Sequence, residues 1–343
     1  MFKSTLTLIL VLVLLVMLSL TGILEAQEHK VVVMVSIDSL AAIIRDLSLD
    51  NVEIVTLIPE GAEPHSYQVS PETLEEARKA DLFVFTGHLV FEKKLASLLP
   101  EIPVLQIDEE NYFGKYKLET LELPDGRRNL HAYWLYPDNA LAIAKAVVDK
   151  LIEIDPVNAE KYLKKLEEFK DKVRRIKQYI TKIAEFYGVK NMSVIITFPG
   201  EQYVAYTMGF TIAGMLSKGE GVFASGAELS EIKSKLEKGY AKIIMASDVS
   251  RMLNVGKFIE DLSRETKTPI AYVRLIGSKD LTYSDLLMYN IGVIIGAFSS
   301  TTMGKSAVQS RTILPTAIYA LIASLVIVIA VESYLLYVRS KYR

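Results

Sequence analysis

The chain of 343 residues contains no cysteine, a single tryptophan and only four histidines. The absence of cysteine excludes disulfide bonds, metal sites built from thiolates and an anchor attached through a lipid-modified cysteine. The 39 basic and 41 acidic residues leave a net charge of −2, so nothing in the composition favours nucleic acid or another polyanionic partner. The sequence also lacks a Walker A loop, a Gly-x-Ser-x-Gly elbow, a His-Glu-x-x-His motif and a paired-acid motif, and we therefore predict that the protein is not an enzyme.

Both ends of the chain are strongly apolar. Lys3 precedes the apolar run 6–20, and small residues around Ala26 precede a polar stretch. This order is typical of a secretory signal peptide, although the length of the run leaves an uncleaved N-terminal anchor open. Residues 313–331 are almost wholly apolar, which is long enough to span a bilayer as a helix, and basic residues follow. We therefore predict an extracytoplasmic protein that a C-terminal transmembrane helix anchors in the cell membrane.

The central part of the sequence has an α/β pattern. Short apolar runs rich in Val, Ile and Phe alternate with helical patterns, as expected for parallel strands that are buried on both faces. The runs fall into two sets and predict two lobes, each with a mostly parallel sheet flanked by helices. The first set comprises 31–37, 52–58, 82–86 and 104–107, and the second comprises 194–198, the weaker 221–223, 243–246 and 270–275.

One long helical pattern, 158–187, joins the two sets and ends at Gly188. At about 1.5 Å per residue, such a helix covers about 45 Å. The sequence therefore predicts the following division: signal peptide or anchor 1–26, N-terminal lobe 27–155, linking helix 156–187, C-terminal lobe 188–298, flexible stalk 299–311, transmembrane helix 312–338 and basic cytoplasmic tail 339–343.

Two histidines occur in similar places. His65 lies in a turn directly after the predicted strand 52–58, and His131 opens a segment that leads into a predicted helix. Ligands of open α/β sheets bind at the carboxyl ends of the strands, and imidazole is a common metal ligand. We therefore predict that His65 and His131 are two ligands of one metal site. His88 follows the predicted strand 82–86 at the same edge, and is either a further ligand or an ordinary surface histidine.

Several longer motifs resemble a known family, the zinc- and manganese-binding solute-binding proteins of ABC importers, whose two lobes are joined by one long helix. The resemblance extends from about residue 30 to residue 295. It implies a receptor that captures zinc or manganese in the cleft between its lobes and delivers it to an ABC permease in the membrane. The motifs are Gly61-Ala-Glu-Pro-His-Ser-Tyr, Ala80-Asp-Leu-Phe-Val-Phe-Thr-Gly, His131-Ala-Tyr-Trp-Leu-Tyr-Pro-Asp-Asn-Ala, Ile154-Asp-Pro-Val-Asn-Ala-Glu-Lys-Tyr and Tyr283-Ser-Asp-Leu-Leu-Met-Tyr-Asn.

The resemblance implies that His65 and His131 are the first two metal ligands of the family. The chain departs from the family at the other two: Phe198 stands in place of a histidine, and Arg274 in place of an acidic residue. The family's histidine-rich loop is also absent, since residues 109–129 contain no histidine. A guanidinium group does not coordinate a cation and repels it. The sequence therefore predicts a degenerate site that keeps only the half contributed by the N-terminal lobe.

Substitute ligands and a second function remain open at this point. His88 and Glu201 are the candidate substitutes, although Glu201 also fits a solvated loop carboxylate; we expect Glu63 to cap a turn and Trp134 to pack in the core. Imidazole ligands suit zinc, whereas an added carboxylate would favour manganese. The alternative to a metal receptor is a binding or adhesion module on the same fold that carries no metal, with Phe198 and Arg274 replacing the metal ligands.

Overall fold

The computed structural model describes residues 30–106, 114–219, 222–252 and 255–310. Within them the chain forms two compact units: unit 1 comprises the described residues of 30–121, 128–179 and 276–287, and unit 2 those of 122–127, 180–275 and 288–310. The predicted signal peptide, transmembrane helix and basic tail lie outside the described residues. Among the residues that are described, no helix is both long enough and apolar enough to cross a membrane.

Unit 1 contains a four-stranded sheet in the order β2-β1-β3-β4, and all its pairings are parallel. Its central strands are buried on both faces, as the continuous apolar runs predict; Val33, Met34 and Phe83, for example, have no exposed surface. The four strands are β1 Val31–Val35, β2 Val52–Thr56, β3 Leu82–Val84 and β4 Val104–Leu105.

Helices of unit 1 begin where the sequence provides capping residues. Before α2, for example, the side chain of Ser70 accepts a hydrogen bond from the backbone N–H of Thr73, and Pro71 occupies the first helical position, where its missing N–H costs nothing. The helices of this unit are α1 Asp38–Asp46, α2 Pro71–Ala77, α3 Val90–Leu98 and α4 Pro137–Ile154.

The predicted linking helix is present as α5, Ala159–Phe186. It belongs to unit 1 as far as Tyr179 and to unit 2 from Ile180 onward. After it, Gly188 adopts a φ of +63°, a left-handed conformation that glycine adopts without steric cost and that commonly ends helices.

Unit 2 contains a second four-stranded parallel sheet, in the order β10-β9-β5-β6. The prediction was wrong about one of its strands. Residues 222–223 form β8 of a short antiparallel hairpin with β7, and the fourth strand of the sheet is β6, whose small and polar residues weaken the apolar signal. The strands are β5 Ser193–Ile196, β6 Thr211–Met215, β7 Ser217–Gly219, β8 Val222–Phe223, β9 Ala241–Ser247 and β10 Ile270–Val273.

The core of unit 2 lies between this sheet and two of its helices. Ile195 and Ile244 of the sheet pack with Ile232 and Ile259 of the helices, and all four are at most 4% exposed. The helices between the strands are α6 Glu201–Thr207, α7 Gly226–Glu237, α8 Asp248–Met252 and α9 Gly256–Thr266.

The last described helix, α10, runs from Tyr283 to Ser310. The prediction of a flexible stalk at 299–311 is therefore wrong as far as Ser310. The start of α10 packs in unit 1: the Tyr283 hydroxyl donates to the carbonyl oxygen of Leu135, and the backbone N–H and hydroxyl of Ser284 both donate to the Asp46 carboxylate. Unit 1 is thus not the continuous segment 27–155 that the sequence predicts, because the chain returns to it.

Candidate metal centre

Three of the four histidines lie together in unit 1. The ring centroids of His65 and His88 are 5.6 Å apart, those of His65 and His131 are 6.0 Å apart, and those of His88 and His131 are 5.5 Å apart. His65 follows β2, His88 follows β3, and His131 precedes a short 3-10 turn, Tyr133–Leu135. The loops after β2 and β3 and the segment before the 3-10 turn thus bring together the two predicted ligands and the candidate substitute. We call these three residues the histidine cluster.

His65 is held by a capped turn. It lies in the 3-10 turn Pro64–Ser66, and the Glu63 carboxylate accepts hydrogen bonds from the backbone N–H of His65 at 3.0 Å and of Ser66 at 2.7 Å. The expectation that Glu63 caps a turn is therefore confirmed. With the carboxylate used in this way, the turn fixes the backbone from which the imidazole projects.

His131 is oriented by Asn129, which is fully buried. The side-chain oxygen of Asn129 accepts a hydrogen bond from the backbone N–H of His131 at 3.0 Å and lies 3.1 Å from its ring Nδ1. Because that oxygen is an acceptor, Nδ1 carries the proton and donates it. The lone pair of the neutral ring is then on Nε2, which is how a second residue commonly prepares a histidine for a metal ion.

His88 follows a glycine turn that a buried carboxylate holds in place. Gly87 has a φ of +83°, and Glu92 accepts hydrogen bonds from the backbone N–H groups of Gly87 at 2.9 Å and of Leu89 at 3.1 Å. The indole of Trp134, which packs in the core as expected, lies parallel to the His88 ring at 6.3 Å. The backbone and ring of His88 are therefore both constrained.

The Nδ1 atom of His88 is buried and has no hydrogen-bond partner among the described residues. Burial first, and then the neighbouring imidazoles of His131 and His65, lowers the pKa of His88 to about 3. The ring is therefore neutral at physiological pH and can offer a lone pair. An ordinary surface-loop histidine, which was the alternative from sequence, does not account for a buried nitrogen of this kind.

The separations of the three ring centroids are close to those expected around one shared metal ion, but somewhat larger. Imidazole nitrogens lie about 2.0–2.1 Å from zinc, which places tetrahedrally arranged ring centroids about 5.2 Å apart. The observed separations of 5.5–6.0 Å exceed this by less than about one ångström. Accordingly, in the part of the chain that the structure describes, no group of three or more His, Cys, Asp or Glu side chains is placed to hold a metal ion.

Unit 2 carries Phe198 and Arg274, which the sequence resemblance aligns with the other two family ligands. Phe198 follows β5 and is 3% exposed. The backbone of Arg274 exchanges hydrogen bonds with the Asn290 side chain, and its guanidinium lies 5.0 Å from the centroid of the Tyr289 ring. Neither side chain has an atom that binds metal cations.

Glu201 differs from the sequence expectation. It is fully buried at the start of α6 rather than solvated on a loop, and its carboxylate accepts hydrogen bonds from the backbone N–H and hydroxyl of Thr197 and from the backbone N–H of Phe198. Burial raises its pKa to about 7. Since its oxygens are enclosed and already bonded, we do not retain Glu201 as a substitute ligand.

Sequence reasoning missed the residues that support the histidines, notably Asn129 and Glu92. An Asn two residues before His131 is a signal for a local side-chain turn, and could have been found. Glu92 gives no such signal, because a Glu in the first turn of a helix is usually solvated.

Two parallel sheets, joined along the chain by one long helix, are the fold expected of solute-binding proteins with a single linking helix. The profile of the family described as zinc-uptake complex component A, periplasmic (ZnuA), matches residues 33–297, and the chain belongs to this family. Its members are metal-binding solute-binding proteins of zinc and manganese ABC importers and are not enzymes, as the sequence predicts.

Individual relatives are distant. The manganese-binding lipoprotein MntA of Halalkalibacterium halodurans is 23% identical over 271 residues, which cover 78% of this chain and 88% of that protein. The manganese ABC transporter substrate-binding lipoprotein PsaA of Streptococcus pneumoniae is 25% identical over 45% of this chain, which spans about half (51%) of that relative's length. The solved structure of the solute-binding protein FpvC of Pseudomonas aeruginosa with Ni²⁺ has a TM-score of 0.64 at 18% identity, over 79% of this chain and 98% of that one. This last similarity shows the fold.

Proposed function

We propose that this protein is an extracytoplasmic receptor that captures a divalent metal ion, zinc or manganese, and delivers it to an ABC permease. In this proposal His65 and His131 are ligands, and the site is degenerate because Phe198 and Arg274 replace the remaining family ligands. The metal is cargo, and the protein's task is to bind it and release it.

The convergence of His65 and His131 is the observation that carries this proposal. The two rings come from separate loops, yet their centroids lie 6.0 Å apart. Each is fixed by a buried or capping side chain, Glu63 for the His65 turn and Asn129 for His131. Two ordered imidazoles this close together support metal binding better than a role in stability, because residues without a metal-binding atom could supply the same packing.

We further propose that residues 312–338, outside the described part of the chain, tether the receptor to the membrane. The two bacterial relatives are named lipoproteins, whereas this chain has no cysteine to carry a lipid. The apolar run 313–331 is long enough to supply the anchor. Deleting residues 311–343 should release the protein from washed membranes, and retention of the shortened chain would point instead to the N-terminal segment.

Metal titration of the full chain in detergent tests the metal-binding part of the proposal. Calorimetry with Zn²⁺ and Mn²⁺ at neutral pH would compare the wild-type protein with the double variant His65→Gln, His131→Gln. We expect the double variant to lose at least about 100-fold in affinity, because two of the few available ligands are removed. His29→Gln, which removes the fourth histidine of the chain, is the matched control and should bind as wild type does.

Two results would contradict the proposal. If neither ion produces heat or thermal stabilisation with the wild-type protein, the binding or adhesion module without metal becomes the better description. If the double variant binds as tightly as the wild type, the metal site lies elsewhere.

A further inference from the structure

The family's second pair of ligands is missing from this chain, so His65 and His131 need help to bind an ion tightly. A zinc site normally uses three or four protein ligands. In unit 2 the two replacement residues, Phe198 and Arg274, have no metal-binding atom, and the Glu201 carboxylate is enclosed in hydrogen bonds. The missing ligand must therefore come from another position if the proposed function holds.

We infer that His88 is this third ligand, and that the metal site is a set of three imidazoles contained within unit 1. The inference rests on the proposed function and adds to it a ligand outside the two family-matched positions, together with a preference among metals.

The placement of His88 is the first support. Its ring lies 5.6 Å from that of His65 and 5.5 Å from that of His131, so that it is as close to both as they are to each other. These separations are within about one ångström of the roughly 5.2 Å expected between imidazole rings that share one tetrahedral zinc ion. A histidine that merely packs near the pair would not need this equal spacing.

The surroundings of His88 are the second support. Its buried Nδ1 has no hydrogen-bond partner in the described part of the chain. Leaving a buried polar atom unpaired costs about 1–3 kcal/mol, and each such atom in a native protein requires an explanation. The left-handed Gly87 turn, the Glu92 carboxylate and the parallel Trp134 ring constrain the residue that carries this atom. A bound cation would both account for the orphaned nitrogen and justify the rigid support.

The chemical nature of the three ligands then favours a class of metal. Three neutral imidazoles supply no negative charge, and none of them is a carboxylate. Imidazole suits zinc, copper and nickel, whereas manganese is better served by carboxylate and other oxygen ligands. We therefore expect Zn²⁺ to bind at least ~100-fold more tightly than Mn²⁺, with water in the fourth position.

The variant His88→Gln tests this inference in the full chain in detergent. Calorimetric titration with Zn²⁺ should show affinity reduced at least ~10-fold relative to the wild type, because one of three protein ligands is lost. His29→Gln again controls for the removal of a histidine. Wild-type affinity in His88→Gln would overturn the inference.

X-ray absorption at the zinc edge provides a measurement on the unaltered protein, so that a folding defect in the variant cannot decide the matter. Three imidazole ligands should appear in the zinc-loaded wild type. Two imidazoles, or Mn²⁺ binding as tight as Zn²⁺ binding, would overturn the inference.

The outcomes also separate the two proposals. Failure of the wild type to bind any divalent ion overturns the proposed function and this inference together. Binding that the double variant His65→Gln, His131→Gln abolishes but His88→Gln preserves would sustain the proposed function and overturn only the role of His88.

Discussion

The ends of β3 in unit 1 and of β5 in unit 2 share one buried arrangement. In unit 1 the backbone N–H and hydroxyl of Thr86 donate to the carboxylate of Glu92, at 2.7 and 2.8 Å. In unit 2 the same two groups of Thr197 donate to Glu201, at 2.5 and 2.8 Å. Each glutamate lies in the first turn of the helix that follows, and in both cases the dominant effect of burial raises the carboxyl pKa.

The two units differ in what comes directly after the threonine. Unit 1 continues with Gly87 and His88, whose ring joins the histidine cluster, whereas unit 2 continues with the buried Phe198 and then Pro199. The threonine–glutamate pair therefore supports the strand end whether or not a ligand follows. Both units have the threonine–glutamate pair. The proposed binding function therefore depends on the one or two residues that follow the threonine.

Removing the glutamates should produce the largest effects and test this comparison directly. Glu92→Ala and Glu201→Ala each leave several buried donors without an acceptor, which should destabilise the affected unit by about 3–5 kcal/mol. Only Glu92→Ala should also weaken Zn²⁺ binding, because Glu92 holds the turn that carries His88. Hydrogen exchange of peptides from α3 and α6 measures the stability of each unit, and calorimetry measures the affinity.

This predicted difference between the two units would be wrong if Glu201→Ala weakened zinc binding as much as Glu92→Ala does. Unit 2 would then take part in binding, and the site could not be assigned to unit 1 alone.

The pH dependence of unit 2 should show the next largest effect. Burial raises the pKa of Glu201 from 4.5 to about 7. Between pH 4.5 and pH 7 the folded chain therefore keeps a proton on this carboxyl group that the unfolded chain releases. Its contribution to stability is therefore fully present below about pH 4.5 and is lost as the pH rises through 7, on the order of 3 kcal/mol. Glu201→Gln, which stays neutral, should lack this loss in urea unfolding measured at pH 4.5 and pH 8. If the free energy of unfolding fell equally in the wild type and the variant between pH 4.5 and pH 8, other groups would be the cause of the loss.

Two glycines provide the smallest and most specific test. Gly87 of unit 1 and Gly209 of unit 2 have left-handed φ values of +83° and +73°. Substitution by alanine should cost about 1–2 kcal/mol of stability at either position, because a Cβ is disfavoured there. Gly87→Ala should in addition lower zinc affinity about tenfold by shifting His88, whereas Gly209→Ala, where the added Cβ would meet open space, should leave it unchanged. Equal zinc affinities in the two variants would show that the turn does not position His88.

Apolar runs and strand-end histidines were enough to predict most of the fold and part of the candidate site. They predicted the parallel sheets, the extent of α5 and the edge at which His65, His88 and His131 meet, because burial on both faces leaves a clear sequence pattern. They did not predict β6, whose Ala213 and Gly214 interrupt the apolar pattern, or the burial of Glu201. A carboxylate is buried only when enough donors converge on it, and those donors come from backbone geometry that the sequence does not display.

The return of the chain to unit 1 has a consequence for the order of events during synthesis. Arg45 of α1 donates to the carbonyl oxygens of Ser278 and Leu281, and Asp46 accepts from Ser284. The ribosome makes His65, His88 and His131 early, but unit 1 lacks these contacts until residues beyond Ser284 have left the exit tunnel. Unit 2, whose sheet is complete at β10, has all its strands before then. Unit 1 is thus still unfinished when every strand of unit 2 has been made, and a chaperone that holds the nascent chain would meet the histidines on an unfinished unit.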